Sequence, residues 1–424
     1  MASRRFVRAT VSSVSAAVLV LAAAAPASAD PGDLDDAFGG DGQVTTVVGN
    51  GDAYGYAAAL QTDGKLVVTG VAYNTEDDTE FATVRYKPNG QPDPTFGING
   101  RVVTNLTGGD DQALGAAIVG GGKIVVGGWA GANFAAVRYL PDGTLDDTFS
   151  GDGKALVHFS QGDAFGYAVA RSKGNKVVLG GQVTVNGVDR WALVRLTPKG
   201  VLDGSFGGDG RVVTTMGSGN AYVWKLVIHS DGSIAATGDA VGPSGKTAPS
   251  VAWYRPGGTL DSDLGDGGKM VHDVGEDLSP SGIVQLPSGK IIVAGGYRTG
   301  PASFKVGLIR LRADGQPDET FGPNALVTRD FGGDGDYVGE LKRQASKLLV
   351  AVSHQVGDAS QLGVVRLNAN GSVDTAFGDE GLALTTLSDT FGDVLALAGD
   401  GRVYAAGQRN LAESRFMVAR FLTT

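Results

Sequence analysis

The chain has 424 residues, enough for two or three domains of ordinary size, with 68 Gly, 19% charged residues, no Cys and a formal net charge of −10. That charge argues against nucleic acid or an anionic membrane surface as partner, and without Cys the chain has no disulfide and no thiol chemistry. Abundant glycine without a collagen period indicates many tight turns, hence short strands rather than long helices.

Residues 1–29 read as a secretory signal. Arg4, Arg5 and Arg8 form a positive head, an apolar stretch runs from Val11 to Ala25, and Ala27-Ser28-Ala29 supplies a cleavage site. The apolar stretch is too short for a comfortable membrane span. The Arg pair resembles a twin-arginine signal, but Val7 and Arg8 depart from its apolar follow-up, which favours the general secretory route. Residues 30–424 are thus expected to be a secreted single domain that does not insert into a membrane.

From residue 34 onward one unit returns seven times. "LDDAFGGDG" at 34 recurs as "PDPTFGING" at 92, "LDDTFSGDG" at 145, "LDGSFGGDG" at 202, "LDSDLGDGG" at 260, "PDETFGPNA" at 317 and "VDTAFGDEG" at 373. Its marker aromatic falls at Phe38, Phe96, Phe149, Phe206, Phe321 and Phe377, with Leu264 in the fifth copy. Within each unit come a β-branched run such as Val102-Val103-Thr104, then a second apolar run such as "YAAALQ" at 56. A tight turn (Asp63-Gly64, Asp231-Gly232) leads to a third strand, such as Lys65 to Thr69 or Lys290 to Val293. The fourth strand reads "FATVRY" at 81, "FAAVRY" at 134, "WALVRL" at 191 and "FMVARF" at 416. Four short antiparallel strands, seven times, predict an all-β fold, a seven-bladed β-propeller. The last fourth strand ends near Thr424 and the first connector begins near Leu34, so the two ends continue the repeat and a closed ring is expected. The runs "VRYLPDGTLDDTFSGDGKA" and "ALQTDGKLVVTG" resemble the delta-60 repeat family of bacterial propeller-type repeats. The resemblance covers roughly residues 33–424 and implies the fold without naming an activity.

Two columns recur across the units. Arg85, Arg138, Arg195, Arg310, Arg366 and Arg420 each lie eight residues from, or across the closure from, an Asp of the connector. Those partners are Asp93, Asp146, Asp203, Asp318, Asp374 and Asp35; the remaining unit has Trp253 before Asp261. A guanidinium clamped on a carboxylate is suited to locking a bend, so the column is read as structural. The second column, Asp52, Asp110, Asp163, Asn220, Asp277, Asp334 and Asp389, lies between first and second strands. An Asx-turn is its plain explanation and a ring binding a cation the sharper one; calcium-loop spacing is absent. The segment "AVGPSGKT" at 240 has the residues of a phosphate loop, but it falls between two strands with Pro249 close behind, so no helix can follow and it is read as a hairpin loop. His158, His229, His272 and His354 are scattered, and no nucleophile elbow, zinc motif or dinucleotide fingerprint is present.

Loops between third and fourth strands differ in every unit, whereas the Asp-Gly turns and connectors are nearly uniform. Variable loops on a uniform frame are where binding is expected. The candidate binding residues there are Tyr73, Trp129, Arg190, Tyr297 and Arg298, with Tyr54, Tyr56, Phe165, Tyr167, Tyr222 and Trp224 on the same face. The expectation is a monomeric binding or scaffold module for an extracellular glycan or protein, with no catalysis, cofactor or metal. The alternative is an extracytoplasmic lyase or hydrolase acting on carbohydrate in the central channel, which a deep channel with paired carboxylates would favour.

Overall fold

The computed structural model describes residues 29–76, 78–300 and 304–424. The predicted signal over 1–29 lies, but for Ala29, outside them, as do the tips of the first and fifth variable loops. Seven four-stranded antiparallel sheets form the ring. The first blade holds Ala53–Leu60 innermost, then Leu66–Tyr73, Thr79–Tyr86 and, outermost, Arg101–Thr104. The sequence unit and the blade are therefore out of phase by one strand: each unit's first strand is the outer edge of the blade before it. That offset closes the ring. Gln43–Thr46 pairs antiparallel with Arg415–Leu422 and completes the seventh blade. The Gly32 N–H donates to the Leu422 carbonyl (2.8 Å), the Asp35 N–H to the Arg420 carbonyl (2.9 Å), and Arg420 lies 2.9 Å from the Asp35 carboxylate.

The core lies between blades. One buried cluster joins Val68 and Val84 of the first blade to Val394, Tyr404 and Val418 of the seventh; another joins Val125 and Phe134 of the second to Leu179 and Val194 of the third. Both faces of each middle strand are covered, so these strands read as near-continuous apolar runs. Each fully buried Val, Leu or Phe contributes about 1.5–3 kcal/mol.

Buried ion clusters tie the hairpin face together. Arg138 Nε is 2.7 Å from Asp146, and Lys123 approaches the same carboxylate oxygen at 2.7 Å. The guanidinium also donates to the Pro198 carbonyl of the next blade and lies 4.7 Å over the Phe149 ring. The arrangement recurs as Lys65–Asp93–Arg85, Lys176–Asp203–Arg195, Lys290–Asp318–Arg310 and Lys347–Asp374–Arg366, with Arg402–Asp35–Arg420 across the closure. In the sixth blade the Arg366 and Asp374 charges meet at 2.7 Å without the alignment of a hydrogen bond. The marker aromatic is thus the platform under each guanidinium. In the fourth blade Trp253, Leu264 and Ser233 replace the Arg, Phe and Lys together, and Trp253 is buried where the guanidinium would lie. Asp261 there pairs instead with Arg255, at 3.0 Å and half in solvent.

Candidate functional site: a recess in the central channel

Every innermost strand carries a β-bulge at the same place. The ladder slips after Gly55, Ala113, Gly166, Val223, Pro280, Val338 and Gly392. The cause is a glycine directly across the ladder. At Gly238 a Cβ would stand 1.7 Å from the Tyr222 carbonyl oxygen, and at Gly70 it would stand 1.9 Å from that of Tyr54. Gly128, Gly181, Gly295 and Gly407 occupy the same place. In the sixth blade Val352 takes that glycine's position, and the bulge widens to two residues, Gly339 and Glu340. Bulges re-aim side chains, and here they aim Tyr56, Leu114, Tyr167, Trp224, Ser281, Glu340 and Asp393 into a common recess of about 390 Å³.

The recess breaks the symmetry of the ring. Blades one to four contribute bulk: Tyr56, Leu114, Tyr167 and Trp224, with the Tyr167 and Trp224 rings 4.8 Å apart. Blade five places Ser281 at this position, whose hydroxyl donates to the Gly339 carbonyl at 2.6 Å. Blades six and seven contribute the carboxyls of Glu340 and Asp393. Phe304 and Tyr337, 6.0 Å apart, also line it, and Tyr337 is 69% exposed.

The two carboxyls are pushed in opposite directions. Burial would raise Glu340, but Lys342 (Nζ at 2.7 Å), Lys225 (4.0 Å) and the Leu395 N–H (3.0 Å) outweigh it and hold the group below its ordinary range. Asp393 is exposed to the lumen, with the surrounding blades crowding it on the other sides. That crowding pushes its carboxyl up, Lys225 opposes, and the Glu340 charge adds to the rise. Tyr56 is pushed up to about 12, first by burial and then by the Asp393 charge. Asp239, beside the recess, is pushed up to about 7 by burial, although it accepts hydrogen bonds from the Trp224 indole N–H and from the Ser279 hydroxyl at 3.3 Å.

The five candidate binding residues lie away from this recess. Tyr73 ends its strand edge-on to Tyr54 at 6.2 Å; Trp129 packs edge-on against Phe165 at 5.1 Å. Arg190 is half-buried on its strand, beside Val183 of the neighbouring one. Tyr297 pairs with Leu278 in the ladder, and the Arg298 guanidinium lies 5.8 Å over Phe304. The structure does not bring them together; they are spread over the second and third strands of four blades. In the Asp column Asp110 accepts from Thr79 (3.0 Å), Asn220 from the Asp189 N–H (3.0 Å) and Asp277 from the Thr247 N–H (2.8 Å), strapping these three blades to the loop of the one before, whereas Asp334 accepts from the Gly357 N–H of its own blade. Among the described residues no three His, Asp or Glu side chains gather as metal ligands do. "AVGPSGKT" is a hairpin between Ile234–Val241 and Thr247–Tyr254.

Of the recess residues, Tyr56, Tyr167 and Trp224 had a sequence signal as aromatics of the variable face; Glu340, Asp393 and Lys225 did not. The signal that marks the two carboxyls is the bulge column itself, in which the residue that is aromatic in Tyr56, Tyr167 and Trp224 is acidic in "YVGELKRQ" and "TFGDVLALA".

A family model described as a domain of unknown function (DUF5122) β-propeller matches residues 61–96, 122–149, 175–206, 286–321 and 346–377. These segments cover the third and fourth strands of five units and run into the connectors as far as the marker aromatic. No curated protein matches the sequence. Among solved structures, the chain is similar to an ulvan lyase, described as a new family of polysaccharide lyase, bound to -[GlcA(1-4)Rha3S]-: TM-score 0.53, 12% identity, 90% of this chain and 96% of that one. It is also similar to the polysaccharide lyase Uly1: TM-score 0.53, 10% identity, 87% of this chain and 90% of that one. These likenesses are of fold. They overturn the expectation of a module without catalysis, because rings of this architecture include enzymes, and the channel here holds the paired carboxylates set out as the mark of one. The chain is a seven-bladed propeller, five of whose repeats match the model of a β-propeller family, with a carboxylate-bearing recess on its axis.

Proposed function

We propose that the protein is an exported enzyme that cleaves glycosidic bonds in a polysaccharide, with its site in the channel recess. The observation that carries this reading is the pairing of Glu340 and Asp393 on adjacent blades opposite the rings of Tyr56, Tyr167 and Trp224. Two carboxyls pushed apart in proton affinity divide the roles of acid and base. Asp393, its proton affinity raised, donates to the leaving glycosidic oxygen, and Glu340, held ionised, takes up the proton released in completing the cleavage, from water in hydrolysis or from the sugar carbon beside a carboxyl in elimination. Aromatic faces stack on the apolar faces of sugar rings and exclude water from the bond. The lyases of like fold support this reading by showing what such a ring accommodates; they do not choose between elimination and hydrolysis.

The test is a screen of the mature chain against plant, algal and bacterial polysaccharides, scored for new reducing ends and for the ultraviolet absorbance of an unsaturated product. Cleavage of at least one polymer, lost in Trp224→Ala, is expected. Absence of cleavage across neutral and acidic polymers would overturn the proposal.

A further inference from the structure

We infer that the recess is selective for a sugar bearing a carboxylate, held by the Lys225 ammonium beside the Trp224 and Tyr167 rings. The inference rests on the proposed reading of the recess as a carbohydrate site. In the residue just past the bulge, six blades place Ala57, Gly115, Ala168, Gly282, Leu341 and Val394; the fourth alone places a charge, Lys225, and that residue lines the recess. A lysine that merely balanced Glu340 would have no need to be there, because Lys342 already sits 2.7 Å from the same oxygen. Lys225 stands off at 4.0 Å, the outer edge of an ion pair, with its side chain partly open to the lumen.

Two ammoniums therefore face the Glu340 carboxylate, so the Lys225 charge is not neutralised by that pair alone. On the same side the recess is lined by the small side chains of Ser279 and Ser281 of blade five, and the Lys225 side chain stays partly open to the lumen. The recess of about 390 Å³ is large enough to admit a single sugar ring. The net charge of −10 does not oppose this. Surface charges are screened over about 8 Å at physiological salt, whereas a contact inside the recess is not.

The experiment is calorimetric titration of the mature protein with oligogalacturonate, oligomannuronate and oligoglucuronate, each beside its carboxyl-reduced neutral form. At least one acidic oligomer should bind about tenfold or more tighter than its reduced partner. Lys225→Met should erase that difference, Lys225→Arg should keep most of it, and raising salt should weaken the acidic ligand alone in the wild-type protein. Equal or tighter binding of the reduced form, or an unchanged preference in Lys225→Met, overturns the inference and leaves the carbohydrate site standing. Binding of neither form of any oligomer overturns both.

Discussion

At the scale of single residues, the same column does different work in different blades. Asp146 is buried between Arg138 and Lys123, so Asp146→Ala strands a guanidinium and should cost about 3 kcal/mol in denaturant unfolding. Asp261→Ala, whose partner Arg255 is 51% exposed, should cost less than about 1 kcal/mol. Equal costs would show the clusters to be decoration. Burial works against ionisation of Asp93, but Thr95, Lys65 and Arg85 outweigh it and hold the carboxyl at about 2. A depressed carboxyl stabilises the fold above its unfolded value and loses that contribution as pH falls toward 2. Asp239 has the opposite sign. Its carboxyl is raised to about 7, so the folded state is favoured at low pH and loses about 2 kcal/mol as pH climbs from about 4, where the unfolded carboxyl ionises, to about 7, the group keeping some contact with solvent. Asp239→Asn keeps an acceptor for the Trp224 N–H and carries no charge. Its melting temperature should gain on the wild type between pH 5 and pH 8; a constant gap would refute the assignment. The Arg–Asp column was legible because it repeats. Its third member was not, since Lys65, Lys123 and their equivalents sit across a turn from the carboxylate they share.

At the scale of elements, the bulge turns a repeat into a site. In six blades a glycine opposite the innermost strand lets the ladder slip by one residue, in the sixth Val352 stands there and the slip is two, and the slipped residues line the axial recess. Gly238→Ala would place a Cβ 1.7 Å from the Tyr222 oxygen, so it should cost about 2–3 kcal/mol and disturb Trp224. Gly109→Ala, where a Cβ meets nothing, should be nearly silent. A thermal melt and the tryptophan fluorescence of both variants check this; matched behaviour would remove the glycine from the account. Strand periodicity revealed the strands and the hairpins, because alternation and Asp-Gly turns are local signals. It could not reveal the bulge, which depends on the register between two strands. For the same reason the innermost strand's fourth residue looked like one more face aromatic in Tyr56 and Tyr167, and Glu340 looked like an ordinary polar residue. The five variable-loop candidates were chosen for divergence between blades, but divergence scattered them over the rim rather than gathering them.

At the scale of the whole molecule, seven near-equal blades create an axis that no single blade contains. Ring closure was legible because the phase of the repeat runs on from the last strand to the first connector, and Gln43–Thr46 completes the seventh blade accordingly. The functional asymmetry was not legible in that way. It arises when residues from all seven units meet: four bulky side chains, one serine and two carboxyls around one cavity. The account stands on Asp393 as the proton donor within that cavity, and the most direct test is the turnover number of Asp393→Asn on a polymer that the wild-type protein cleaves, with binding measured alongside. The amide keeps the shape and loses the proton. The account predicts that kcat falls at least about a hundredfold while affinity stays within about threefold; cleavage by Asp393→Asn at the wild-type rate would contradict it.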